Sequence, residues 1–437
     1  MKTDVNNYVD EKTRNIYNTK TNSTSLKKEY GLSEKLIKEL SKEKKEPDWV
    51  LNIRLKALKL FYELTDPDWG PDISYLDINK IATYVKPINN EKRSWDDVPE
   101  DIKNVFDKLG IPEAEKASLA GSGAQFDSEV VYHNLTEDLK KQGIIYTSFD
   151  EGIRKYPELI KEYFTKAVPI NDHKYIALHY ALFSGGSFVY IPKGAKLDRP
   201  LQSYFRLNEK GAGQFEHTLI IVDEKAELQF IEGCSAPGYN VLNLHAGCVE
   251  LFVKKDAYLR FSTIENWSKN MLNLNTKKCY VEENGKIEWI MGSFGSKVSM
   301  LYPLSVLNGD NAQCEFTNIS FAGNGQNLDT GLKIIHNGKN TSSIVNSKSI
   351  SKDGGICTFR SNVHVRKKAT NSKVSLSCES LMMDSISRSD TIPANTIETN
   401  DVEYAHEATI GKISESAIFY LMTRGMNESE AKSLIVR

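Results

Sequence analysis

Cys234 lies in the stretch QFIEGCSAPGYN, where an alternating apolar run ends and Pro237 and Gly238 open a turn. A thiol at such a strand end is either a small packed hydrophobe or a sulfur nucleophile. Arg206 and Asn208, in YFRLN, stand two apart and share one face of a predicted strand. A guanidinium near Cys234 would favour the thiolate. In TIENW, Glu265 and Trp267 likewise share a face, with Lys277 ten residues on. The plain alternative there is a packed tryptophan among solvated charges. Cys378, in LSCESLMM, is followed 28 and 29 residues later by His406 and Glu407. Thiolate, imidazole and carboxylate together form an iron-competent ligand set. A lone histidine after a strand also serves as a hydrogen-bonded structural residue.

The other cysteines are Cys248, Cys279, Cys314 and Cys357, and no two of the six have C-x-x-C spacing. Neighbouring cysteines therefore encode no zinc knuckle, redox pair or stable cluster, and a metal held through these thiols needs ligands distant in sequence. Cys248 is expected to be a packed thiol. Phosphate-loop, dinucleotide, H-E-x-x-H and G-x-S-x-G motifs are missing, which argues against ATP hydrolysis or Rossmann-type binding by this chain. Basic and acidic residues nearly cancel, 56 against 58, so no global field draws in nucleic acid. Apolar runs such as LIIV fall far short of the ~20 residues of a membrane helix. The start, MKTDVNNYVDEKTRN, has no apolar signal core, so the cytoplasm is the expected setting.

These residues must be positioned by the surrounding elements. Residues 1–125 are expected to be helical: Val50, Leu51, Leu55, Leu58 and Tyr62 recur at helical spacing, and DDVPEDIKNVFDKLGIP fits a helix capped by Asp97 and stopped by Gly110 and Pro112. Residues 126–184 form a mixed connection. From 185 to 405, short alternating runs follow polar turns at Ala226, Ala257, Gly285, Ala312, Asn340 and Asn371, a repeat of 27 to 31 residues with no intervening helix. Stacked coils of a parallel β-helix fit this better than a β-sandwich. The tail, 406–437, is expected to return to helix, with Ile418, Leu421 and Met422 on one stripe and Gly425 as a stop. The fold class is mainly β with helical ends.

At the text DPDWGPDISYLDINKIATYVKP, LFSGGSFVYIPKGAKLDRPLQSYFRLN, FIEGCSAPGYN, STIENWSKN, DTGLKIIHNGKNT and HEATIGKISESAIFYLMTRGMNESEAKSLIV, the sequence resembles the SufB subunits of the Suf iron–sulfur cluster assembly machinery, from about residue 25 onward. The resemblance implies a right-handed β-helix that pairs with a SufD-like chain or a second copy. It also implies two SufC-like ATPases docked on the C-terminal helices, persulfide delivered by a cysteine desulfurase or sulfur carrier, and a reduced flavin (FADH2) in the complex. It places sulfur acceptance on Cys234 with Arg206 and Asn208, the sulfur path on Glu265, Trp267 and Lys277, and cluster ligands on Cys378, His406 and Glu407. Two positions depart from the pattern: Ala405 where some members carry Glu, and Glu265 where Gln is frequent. Many members continue past the position of Arg437 with a further helical segment. A SufD-type structural subunit is the nearest alternative, and a β-helix carbohydrate-active enzyme a more distant one that lacks its clustered acidic residues.

Overall fold

One left-handed residue closes each turn of the repeat. Lys225, Asp256, Asn284, Asn311, Asn340 and Asn371 all have φ between 55° and 60°, a conformation that Asn and Asp tolerate better than other residues with a side chain. The amides then stack from coil to coil: Asn284 Nδ2 donates to Asp256 Oδ1 (2.7 Å), Asn311 Nδ2 to Asn284 Oδ1 (2.8 Å) and Asn371 Nδ2 to Asn340 Oδ1 (2.7 Å). At the first four turns this residue precedes the small residue expected from the sequence; at Asn340 and Asn371 the two coincide. The small residue, Ala226 for example, turns inward and is buried.

The computed structural model describes residues 25–87, 97–108 and 119–436. After each turn comes a strand: Glu227–Ser235, Tyr258–Asn266, Lys286–Phe294, Gln313–Ala322, Ser342–Ser351, Ser372–Met382 and Val402–Lys412 stack in parallel. Leu201–Arg206 and the antiparallel hairpin Gly121–Phe126 and Glu129–Leu135 begin this ten-stranded sheet. A second sheet runs from Gly186–Ile191 through His217–Val222, Cys248–Val253, Thr276–Val281, Leu304–Leu307, Asn327–His336 and Ile356–Val365 to Arg388–Ile397. Short strands, among them Asn243–His245 and Met271–Asn273, complete the coils. The expected class holds: this is a parallel β-solenoid of about eight turns with helical ends.

Every second side chain of each strand points into the coil. Phe230, Phe261, Trp289, Phe316, Val345 and Leu376 occupy one in-register column, and successive aromatic centroids in it are 5.5 Å apart. Trp289 is wholly buried, with Nε1 donating to Ser305 Oγ at 2.9 Å. A second apolar core lies outside the second sheet, where Leu219, Ile221 and Leu244 meet the helices.

The helical regions differ in detail from the sequence pattern. Asp48–Glu63 is a helix, but its buried stripe is Val50, Arg54, Ala57 and Phe61, while Tyr62 is exposed. Arg54 overrides the apolar pattern because it is fully paired, to both Glu46 oxygens and to the carbonyls of Ala181 and Phe183. A helix does form at Glu100–Lys108; its expected stop at Gly110 and Pro112 lies outside the described residues. The N-terminal region also contains strands, Lys27–Tyr30 paired antiparallel with Ala82–Lys86. At the other end, His406 and Glu407 belong to the strand Val402–Lys412, in register with Ser372–Met382, so helix begins only at Glu415, capped by Ser414. VEYAHEAT alternates with the period of two, which suits an added coil. In the helix that follows, Ile418 is buried and Leu421 packs beside it, but Met422 is exposed.

Trp289→Ala should empty the centre of the aromatic column and lower stability by about 3–5 kcal/mol. Urea denaturation followed by far-ultraviolet circular dichroism checks this, and an unchanged midpoint would contradict the role of the column.

Candidate functional site

In Glu227–Ser235 the inward positions are Leu228, Phe230, Glu232 and Cys234, so the interior changes from apolar to charged along one strand. The register carries this change up the solenoid. Cys234 is followed in its column by Glu265, Ser293, Ser320, Ser349 and Ser380. Glu232 is followed by Thr263, Met291, Asn318, Ser347 and Cys378. Two adjacent, buried and mainly polar columns therefore join the coil of Cys234 to that of Cys378, five strand spacings or about 24 Å away. Parts of them are hydrogen-bonded: Asn318 Nδ2 lies 3.3 Å from Ser347 Oγ, and Ser349 Oγ 2.8 Å from Ser380 Oγ.

The Cys234 end is a buried ionic network. Lys277 Nζ donates to Glu232 Oε1, which also accepts from Thr263 Oγ1 at 3.0 Å. Asn273 links Glu265 Oε2 (2.5 Å) to His245 Nδ1 (2.7 Å), and His245 Nε2 meets Glu216 Oε1 at 2.5 Å. Trp267 stacks on His245, centroids 4.6 Å apart, and packs in one apolar cluster with Cys234, Phe205 and Met271. Burial raises the carboxyl of Glu265, with Lys277 opposing. His245 is raised: burial lowers it, but Glu216 outweighs that. Burial pushes the Cys234 thiol well above its ordinary range, Glu232 and Glu265 add to this, and Lys277 pulls it down. Glu216 Oε2, Glu232 Oε2, Glu265 Oε1 and Trp267 Nε1 are buried with no hydrogen-bond partner in the described chain.

Arg206 lies elsewhere than the sequence pattern suggested. It is in register with Ser235, on the opposite face of the pleat from Cys234, and Nη1 donates to Ser235 Oγ at 2.8 Å. The cation acting on the thiol from within the interior is Lys277. Asn208 anchors the start of the site through its main-chain N–H, which donates to Asp127 Oδ1 at 2.7 Å. Asp127 is pushed up to about 7 by burial.

At the other end Cys378 is buried among apolar neighbours, which push its thiol up to about 11. His406 is in register with Leu376, so it shares the inward face with Cys378 on the next strand; its Nε2 is buried without a hydrogen-bond partner. Glu407, in register with Ser377, points the other way and is exposed. The three residues thus meet on neighbouring coils, but the alternation of the strand separates the carboxylate from the thiol and imidazole.

Two family models match the chain: the SUF system FeS cluster assembly SufBD core domain over residues 205–437, and the SufBD protein N-terminal region over residues 124–203. The chain belongs to the SufBD family. Iron-sulfur cluster assembly SufBD family proteins of Staphylococcus haemolyticus, Staphylococcus epidermidis and Staphylococcus saprophyticus are each 50% identical to it over 411 residues, 94% of this chain and 88% of theirs.

For this SufBD protein, sequence spacing located Cys234, Glu265, Lys277 and Cys378 but missed Glu216, Glu232, His245 and Asn273. Advancing Cys378 back through the repeat, by 27 to 31 residues at a time, would have found Glu232 in its column; His245 and Asn273 come from short strands that carry little periodic signal.

Lys277→Met removes the cation from this network and should cost about 3–5 kcal/mol at pH 7. Its loss raises the Glu265 carboxyl further above its unfolded value of ~4.3. A group with such a raised folded pKa favours folding less as pH rises, because the unfolded chain releases the proton first. The deficit should therefore be smaller at pH 5 than at pH 7 in urea denaturation; equal deficits would mean lost packing alone.

Proposed function

We propose that this chain is the SufB-type scaffold of an iron–sulfur cluster assembly complex. Cys234 accepts persulfide sulfur from a cysteine desulfurase or its carrier, with Arg206 and Asn208 holding the strand ends around it. Sulfur passes the network of Glu265, Trp267 and Lys277 and follows the polar columns to Cys378. There, with His406 and Glu407, a transient cluster is built as cargo. The observation that supports this reading above the others is that Cys234 and Cys378 both face the interior and are joined by continuous polar columns.

The chemistry begins with the Cys234 proton, since only the thiolate attacks. Neighbouring buried carboxylates are placed to receive it, and Lys277 balances the charge that develops. The thiolate attacks the outer sulfur of the donor persulfide, the new S–S bond forms on Cys234, and the donor thiolate leaves. At the far end Cys378 and His406 offer one sulfur and one nitrogen on the inward face, and Glu407 an oxygen on the outward face. A set divided in this way is incomplete, which suits a site completed by a SufD-like subunit or a second copy and emptied afterwards. The last coil offers such a surface: Val402–Lys412 ends its sheet, and Ile392, Ile397 and Ile410 are exposed there. Phe419, Tyr420, Met422 and Leu434 are exposed on the C-terminal helices, where a SufC-like ATPase is proposed to dock and to supply all ATP hydrolysis. The reduced flavin is assigned to the assembled complex and to no residue of this chain. No described helix is long and apolar enough to cross a membrane, and the proposed setting is cytoplasmic.

Cys234→Ala should abolish acceptance of labelled sulfur from a desulfurase while the chain stays folded; labelling at the wild-type level would remove Cys234 from the mechanism. Cys378→Ala should accept sulfur and assemble with its partners, yet yield no cluster on anaerobic reconstitution, read as iron, sulfide and visible absorption. Unchanged cluster content in both variants would favour the SufD-type structural role.

A further inference from the structure

A second group of ligating side chains lies on the outer face of the second sheet, away from the columns just described. His217 and Cys248 are the first residues of their strands and lie in register, while His179 comes from the covering helix Lys174–Leu182. One ring nitrogen of each histidine and the Cys248 sulfur lie within 4.8 Å of one another, and all three residues are wholly buried. Phe149, Phe164 and Phe183 enclose His217, with centroids 4.4, 4.9 and 6.1 Å from its ring.

The hydrogen bonds leave an imbalance in this pocket. His179 Nδ1 donates to the Ala246 carbonyl at 2.9 Å, so its Nε2 carries a lone pair, and that atom lies 3.0 Å from His217 Nδ1. If His217 Nδ1 carries the proton of this contact, its Nε2 is a second lone pair. That Nε2 has no hydrogen-bond partner and faces Glu250 Oε1 at 3.4 Å, acceptor against acceptor. Glu250 cannot turn away. Its oxygens accept the main-chain N–H groups of Thr165, Ala167 and Val168 at 2.8–2.9 Å, and Tyr180 Oη lies 3.1 Å from Oε1. A buried carboxylate, a neutral imidazole pair and a thiol thus lie together with no cation among them, at a substantial desolvation cost.

We propose that His179, His217 and Cys248 bind one zinc ion, with the Glu250 carboxylate beside it. Imidazole and thiolate suit zinc and do not suit magnesium or calcium. Binding expels the Cys248 proton, and the dication, thiolate and carboxylate then sum to zero charge inside an apolar enclosure. The His179 Nδ1–H to the Ala246 carbonyl is the outer hydrogen bond that orients a metal-ligating imidazole. Because the residues come from the helix and from two strands, the ion would clamp the helical layer to the solenoid. Burial places its entry during folding. The site is structural and independent of the sulfur path.

The test uses the full chain expressed in zinc-supplemented medium and passed through a weak chelator. About one zinc per chain is expected by mass spectrometry, falling at least tenfold in Cys248→Ser and in His217→Gln and unchanged in Cys378→Ala. Refolding the wild type with Co2+ should give a thiolate-to-cobalt charge-transfer band that Cys248→Ser lacks. A wild-type chain that is zinc-free and takes no cobalt on refolding overturns the proposal, as does a cobalt band retained in Cys248→Ser.

Discussion

Parallel strands stacked in register impose the constraint on which the rest of this molecule depends. Each coil places its inward side chains directly over those of the coil before, about 4.8 Å away. A residue therefore belongs to a column as much as to a strand. The aromatic column from Phe230 to Phe316 and the polar columns beside it are separate products of that one rule. Turn geometry fixes the rule in place: the left-handed residues and their stacked amides keep neighbouring coils from slipping by one residue, which would turn every column inside out.

The apolar column stabilises the solenoid, and the polar columns are tolerated because of it. Glu232, Glu265, Lys277 and His245 are held in a dry interior by an ion pair, shared amides and aromatic neighbours. Such a network stabilises little compared with an apolar core of the same volume, and breaking it is costly. Its partly unsatisfied carboxylates and the raised thiol of Cys234 make sense as chemistry retained at the expense of stability. The family to which the chain belongs assembles iron–sulfur clusters, and the interior holds two thiols at the ends of a polar route.

Outside the second sheet the same alternation gives a different result. His217, Leu219 and Ile221 point away from the solenoid and receive the helices, while Thr218, Ile220 and Val222 point into it. One strand thus serves two environments, and a cysteine such as Cys248 is placed beside histidines distant in sequence only because helix Lys174–Leu182 covers that face.

The sequence by itself determined the repeat, its period and the β-solenoid class, because turn chemistry and alternation are local and recur. It also identified Cys234 and Cys378 as the notable thiols, through the resemblance of their surrounding text. Tertiary structure decided the rest. It put Arg206 behind the pleat and made Lys277 the cation of the interior, since a strand residue's face depends on where pairing begins and not on its distance from the thiol. It extended the solenoid through His406 and separated Glu407 from it, because pairing with Ser372–Met382 favours strand where the local text also admits helix. Glu216, His245 and the His179–His217–Cys248 group were illegible beforehand, since their partners lie one coil or one layer away and no local period connects them.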